Sequence, residues 1–80
     1  MIMIDVVVPP LSEVFDFQVD ENKQVAEFKK DVEKLIERKE NMKFGLALRE
    51  LFHYRVGDFL KENGTMGEQG IVNGDRLILI

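Results

Sequence analysis

The spacing of apolar residues changes once along this 80-residue chain, and the change limits the folds that the chain can adopt. Near the amino terminus apolar side chains recur at every second residue, which predicts a β-strand. After residue 24 they recur three and four residues apart, which is the period of one helical stripe. The alternating positions are Ile2, Ile4, Val6 and Val8, and the stripe comprises Val25, Phe28, Val32, Leu35, Ile36 and Lys39.

A β-hairpin is predicted before the helix. Pro9-Pro10 ends the first strand, because proline has no N–H to donate to a neighbouring strand. A loop of about four residues around Pro9 to Ser12 leads into a second strand at Val14 to Val19. That strand places Phe15, Phe17 and Val19 on one face.

The helix is expected to run from about residue 24 to residue 40. We expect Asn22 to cap its amino terminus, because asparagine side chains accept hydrogen bonds from the first free N–H groups of a helix. Asn41 to Gly45 contains residues that favour the left-handed backbone of a helix end, so the exit is predicted there.

The segment after the helix fits two interpretations. Leu46 to Tyr54 suits a strand or a resumed helix, and a strand is favoured because Gly57-Asp58 follows as a turn. Phe59-Leu60 is predicted as a short strand and Arg76 to Ile80 as the last one. Between them, residues 61–75 are rich in turns, with Met66 and Ile71 as buried anchors.

The predicted order of elements is β-β-α-β-β-β in a single domain spanning residues 1–80. One amphipathic helix must then cover one face of a mixed sheet, which defines an α+β fold. The last strand is expected to pair with the first in parallel.

Two spacing patterns resemble those of the ubiquitin-like β-grasp family. Val19 to Val32 reads V-x5-V-x2-F-x3-V, and Leu60 to Leu79 reads L-x5-M-x4-I-x5-L-x-L. Ubiquitin has apolar residues at the same intervals. The resemblance covers nearly the whole chain and is weakest across residues 40–58. It implies the ubiquitin-like β-grasp fold.

A narrower resemblance lies in the run from Gly70 to Ile80, which reads GIVNGDRLILI. This run is similar to the ending of the YukD-type bacterial ubiquitin-like proteins, which are accessory components of type VII secretion. The resemblance implies a bacterial adaptor protein. The same run also has a structural interpretation, since Asn73-Gly74 supplies a turn and Asp75 can bond its backbone.

Composition excludes several classes of function. The net charge of −4 disfavours nucleic acid and anionic membrane surfaces as partners. No apolar run reaches the ~20 residues that span a bilayer, and the start of the chain lacks a basic signal-peptide region, so a cytoplasmic protein without membrane insertion is expected. The absence of cysteine excludes zinc–thiolate and iron–sulfur sites, and no metal or other cofactor is expected.

Catalytic residues are scarce, so we expect no enzymatic activity. The chain has one serine, one threonine and one histidine: Ser12, Thr65 and His53. Nucleophilic catalysis needs a nucleophile, a base and an orienting group in contact, and this set does not predict one. His53 is expected to be a half-exposed strand residue. The sequence also lacks the Gly-Gly tail of conjugated modifiers, so covalent conjugation is not expected.

A protein-binding surface is the remaining expectation. If Leu77 and Leu79 face the helix, their strand neighbours face away from it, and the same alternation applies to the first strand. The predicted protein-binding residues are Met3, Val7, Tyr54, Ile78 and Ile80. Another protein or a second copy of the chain would bind this strip, unless the long segment after the helix covers it.

Together these features predict a non-conjugating, ubiquitin-like protein-binding module. The narrower expectation is an accessory adaptor of a type VII secretion system that binds a cytosolic domain or a substrate of the machine. The alternative is a non-catalytic auxiliary subunit of a multi-component bacterial monooxygenase, because some of these enzymes carry a small ubiquitin-like subunit.

Overall fold

The computed structural model describes residues 1–43, 45 and 49–80. Its sheet has five strands in the order β2-β1-β5-β3-β4, and one helix packs on one face. The elements are β1 (Ile2–Val8), a 3-10 turn (Pro9–Leu11), β2 (Glu13–Val19), α1 (Val25–Glu40), β3 (Leu51–His53), β4 (Asp58–Phe59) and β5 (Arg76–Leu79). The predicted order of elements and the α+β class are confirmed.

The centre of the sheet is a parallel pair formed by the first and last strands. β1 pairs with β5 in the register Val6 to Leu77 and Val7 to Ile78. β2 lies antiparallel on the other side of β1, and β3 lies antiparallel on the other side of β5. The parallel pairing predicted from the sequence is therefore confirmed, and it fixes which residues of the four strands share a face.

Short backbone turns close the hairpin and end the helix. Ser12 has φ 53°, and its N–H donates to the Pro9 carbonyl at 3.0 Å, which turns the chain into β2. Asn41 has φ 51°, and its N–H donates to the Glu37 carbonyl. Asparagine tolerates this left-handed backbone better than most residues, so the predicted helix exit is confirmed.

The predicted cap at Asn22 is wrong. The helix begins at Val25, with Gln24 as the capping position, and no side chain caps it. The first N–H groups donate instead to carbonyls of the chain before β5, from Val25 to Gly64 at 2.9 Å and from Ala26 to Glu62 at 3.2 Å. Backbone carbonyls from a distant part of the sequence thus accept hydrogen bonds from helix N–H groups that a local side chain usually caps.

The apolar stripe of α1 packs against the inner face of the sheet. Phe28 is 1% exposed and meets Phe17 edge to face, with ring centroids 5.3 Å apart. Lys29 is buried and reaches Glu62 at 2.6 Å, which ties the helix to the same loop. The core comprises Ile4, Val6, Val8, Phe15, Val19, Val25, Phe28, Val32, Ile36, Leu51, Leu60, Met66, Ile71, Leu77 and Leu79.

The region after the helix differs in detail from the prediction. β3 begins at Leu51 and ends at His53, so Tyr54 lies in the following turn. Residues 46–48 of the predicted strand lie outside the described residues. β4 is Asp58–Phe59 rather than Phe59-Leu60, and β5 ends at Leu79, although Ile80 still exchanges two backbone hydrogen bonds with Glu50.

The helices that the structure describes include none that is long and apolar enough to cross a membrane.

Replacing Phe28 with alanine is expected to lower the free energy of unfolding by about 3–5 kcal/mol, because it empties the contact between α1 and the sheet. Chemical denaturation followed by circular dichroism measures the change. The exposed helix variant Lys30→Ala is the control and should stay within about 0.5 kcal/mol of the unchanged protein. Equal stability of both variants would contradict the packing described here.

Candidate protein-binding face

The sheet face that points away from α1 carries an apolar row with one residue from every strand. The register pairs Val14 with Val7, Val7 with Ile78, Ile78 with Phe52, and Phe52 with Phe59. Paired residues of neighbouring strands point to the same face. These five side chains, called the apolar row below, therefore cross the whole sheet at one level.

The two ends of the apolar row are its most exposed parts. Val14 is 52% exposed and Phe59 is 44% exposed, whereas the three central residues are half-buried by their neighbours. Phe52 and Phe59 pack edge to face with ring centroids 5.2 Å apart. Because neighbouring strands lie ~4.8 Å apart, the row extends over roughly 19 Å.

The predicted binding residues lie on or beside this row. Val7 and Ile78 are two of its members, and Met3, Tyr54 and Ile80 are exposed on either side of it. The Tyr54 N–H donates to the Arg76 carbonyl, which keeps the backbone of Tyr54 next to β5.

Sequence reasoning missed three members of the apolar row: Val14, Phe52 and Phe59. Val14 could have been found, because it alternates with the inward Phe15. Phe52 and Phe59 depend on the register of two strands that are only three and two residues long, and no clear periodicity marks such short elements.

A charged row lies beside the apolar row. Asp5 lies two residues before Val7 on β1, and Asp16 lies two residues after Val14 on β2. The register pairs Asp5 directly with Asp16. Arg76 follows on β5 with its guanidinium 3.5 Å from Asp5 Oδ2. Asp5 raises the pKa of Asp16 through a hydrogen bond between the two carboxyl groups and through charge repulsion.

A second polar cluster lies inside the fold at the end of β3. His53 is 1% exposed, which corrects the prediction of a half-exposed residue, and its Nε2 lies 2.9 Å from Asp75 Oδ2. Arg55 donates to Asp75 Oδ1 at 2.9 Å and to the Gly70 carbonyl at 2.7 Å. The Val72 N–H donates to Asp75 as well. The Asp75 carboxylate thus joins β3 to the loop that precedes β5.

The pKa of Asp75 is lowered to about 2, and the hydrogen bond from Arg55 is the largest cause. The Val72 N–H and His53 also lower this pKa, whereas burial raises it. The neighbouring turn is also tied to β1. Asn73 accepts a hydrogen bond from the Met3 N–H at 2.8 Å, and Gly74 has φ 88°. The expected backbone bond of Asp75 is confirmed, and the run from Gly70 to Leu77 has a structural role.

The serine and the threonine of the chain lie in other parts of the structure. Ser12 lies in the turn between β1 and β2, and the Thr65 hydroxyl is bonded to Glu68. Among the residues that the structure describes, no three histidine, aspartate or glutamate side chains are placed to hold a metal ion.

Comparisons with known proteins bear on the fold alone. No protein-family model matches the chain, and no curated protein matches it. Solved structures, in contrast, do match the chain. The ubiquitin-like domain of the Arabidopsis thaliana protein At2g32350 is similar at a TM-score of 0.77 and 20% identity, over 99% of this chain and 74% of that one.

The N-terminal ubiquitin-like domain of the 4931431F19Rik protein is similar at a TM-score of 0.73 and 22% identity, over 99% of this chain and 72% of that one. Both likenesses extend over nearly the full chain. The chain therefore has the ubiquitin-like β-grasp fold that the spacing of its core residues predicts.

The substitution Asp75→Asn is expected to destabilise the fold by about 2 kcal/mol at neutral pH, because a buried carboxylate with three partners is lost. A carboxyl group with a lowered pKa stabilises the folded state above its unfolded pKa of 3.8, and this contribution is lost as pH falls toward 2. The stability difference between the two proteins should therefore shrink as pH falls from about 4 to about 2.

Denaturation across this pH range measures the difference. The exposed variant Glu13→Gln is the control and should show neither effect. A difference that stays constant with pH would show that the ionised form of Asp75 is not what stabilises the loop.

Proposed function

We propose that this chain is a non-covalent protein-binding module whose open sheet face receives the partner. The apolar row carries the proposal, because it exposes aliphatic and aromatic side chains contiguously across all five strands. Single exposed apolar residues are common on protein surfaces, whereas contiguous apolar patches mark interaction sites more often.

The residues of the apolar row are not explained by the needs of the core. The inward residues of the same strands already form the contact with α1. A strand face that only contacts water is usually polar, as in alternating amphipathic strands. Burial of the apolar row by a partner would remove its exposed surface from water, and this transfer favours binding.

The outer surface of α1 supports docking less well. Its surface residues carry charges of both signs, and Asp31 pairs with Lys23, which precedes the helix. Lys29 and Glu62 anchor the helix to the loop before β5. A surface of balanced charges is typical of a solvated helix face.

A narrower role belongs to the same proposal: a cytoplasmic accessory adaptor in bacterial type VII secretion. Its support is the similarity of the run from Gly70 to Ile80 to the YukD-type proteins. The alternative is a non-catalytic subunit of a bacterial monooxygenase. The two roles predict different partners on the same face, so one experiment separates them.

The double substitution Ile78→Asp with Ile80→Asp is expected to abolish partner binding, because it places two charges on the open face and one of them in the centre of the apolar row. Affinity capture from a lysate of the encoding organism, with mass spectrometry, compares the unchanged protein with this variant. A secretion ATPase or its substrates retained only by the unchanged protein would support the adaptor, and oxygenase subunits would support the alternative.

The matched control is Met42→Asp, which also replaces an exposed apolar residue with a charge but lies beyond the end of α1. Circular dichroism must show that all three proteins are folded, and sedimentation equilibrium must test whether the face joins two copies of the chain. Equal retention of the same proteins by the double variant would contradict the choice of this face.

A further inference from the structure

The charges beside the apolar row differ between its two sides. On one side Glu50 lies next to Ile80, with which it exchanges two backbone hydrogen bonds. On the other side Asp5 and Asp16 stand directly opposite one another.

Few positive charges oppose this carboxylate pair. β1, β2 and β5 are described in full, and Arg76 is their only cationic side chain. It approaches Asp5 at 3.5 Å, with both side chains substantially exposed to water. Lys39 of α1 lowers the pKa of Asp16 slightly from the other face, where its ammonium lies 5.4 Å from the Phe15 ring centroid.

The pairing of Asp5 with Asp16 is unfavourable for the isolated protein. Like charges directly opposite each other on neighbouring strands destabilise a sheet. The pKa of Asp16 is raised first by its hydrogen bond with the Asp5 carboxyl group and then by charge repulsion from Asp5 and by desolvation, and these effects together exceed the lowering effect of Lys39. Local conflicts of this kind in natural proteins concentrate at functional sites.

We propose that the open face selects a protein segment that carries apolar side chains for the apolar row and an arginine or lysine for the Asp5–Asp16 pair. This inference rests on the proposed binding function and names the chemistry of the partner. A basic side chain would relieve the repulsion between the two carboxylates. It would leave the apolar contacts of the neighbouring row in place.

The geometry fixes where that basic residue must lie. Asp5 and Asp16 are each two residues from a member of the apolar row, Val7 and Val14, which is about 7 Å along a strand. The partner's cation therefore sits beside the β2 end of the row. Arginine suits the site well, because its planar guanidinium can bond two carboxylates at once.

Selection from a displayed library of random 16-residue peptides tests the proposal without knowledge of the natural partner. The unchanged protein, Asp16→Asn, Asp16→Lys and Glu13→Gln are used in parallel. Glu13→Gln is the matched control, because it removes a negative charge from the same strand on the opposite face. Only peptides that fail to bind the Ile78→Asp, Ile80→Asp variant are counted.

The expected result is enrichment of arginine and lysine among peptides selected by the unchanged protein and by Glu13→Gln. Asp16→Asn should bind these peptides about three- to tenfold more weakly at low salt, and Asp16→Lys should select aspartate and glutamate instead. Asp16→Asn should also melt at or above the temperature of the unchanged protein, since it removes repulsion.

Two other results would overturn the inference. In the first, the selected peptides need Ile78 and Ile80 but show no enrichment of basic residues. This result would still support the binding face, but it would contradict the proposed preference for a positive charge. A lower melting temperature for Asp16→Asn would show that the carboxylate pair stabilises the fold. If no peptide depends on Ile78 and Ile80, the proposed function itself fails.

Discussion

The parallel pairing of β1 with β5 is the interaction on which the rest of the structure depends. It joins the two ends of the described chain at the centre of the sheet and sets Val6 beside Leu77 and Val7 beside Ile78. Because side chains alternate along both strands, this register places one pair in the core and the other on the open face. A shift by one residue would exchange the two, so the core and the candidate binding face are fixed by the same contacts.

The loop between β4 and β5 supports that pairing at two places. Carbonyls of Glu62 and Gly64 accept the first N–H groups of α1, while Asp75 bonds the end of β3 and the N–H of Val72. The helix and the strands are therefore connected through backbone and one buried carboxylate rather than through apolar packing alone. This arrangement explains how residues 61–75, which contain little regular structure, still hold the buried anchors Met66 and Ile71.

Patterns that repeat along the sequence predicted most of the fold, and contacts between distant residues account for what was missed. Alternation located β1 and β2, and the helical stripe located α1 with an end at Glu40. The cap at Asn22 failed because the helix receives its acceptors from residues about forty positions away. The burial of His53 was missed for the same reason, since its partner Asp75 is 22 residues distant. The members of the apolar row on β3 and β4 required a register that two short strands do not reveal.

The run from Gly70 to Leu77 shows how a local motif can reflect folding rather than a shared partner. Gly70 and Gly74 adopt positive φ, Asn73 bonds the start of β1, and Asp75 joins the buried cluster. Each of these positions has a role in the turn that any chain with this connection would need. Similarity in this run therefore indicates a shared turn before it indicates a shared partner. Similarity in the apolar row and the Asp5–Asp16 pair would report a shared partner, because the fold itself does not require those residues.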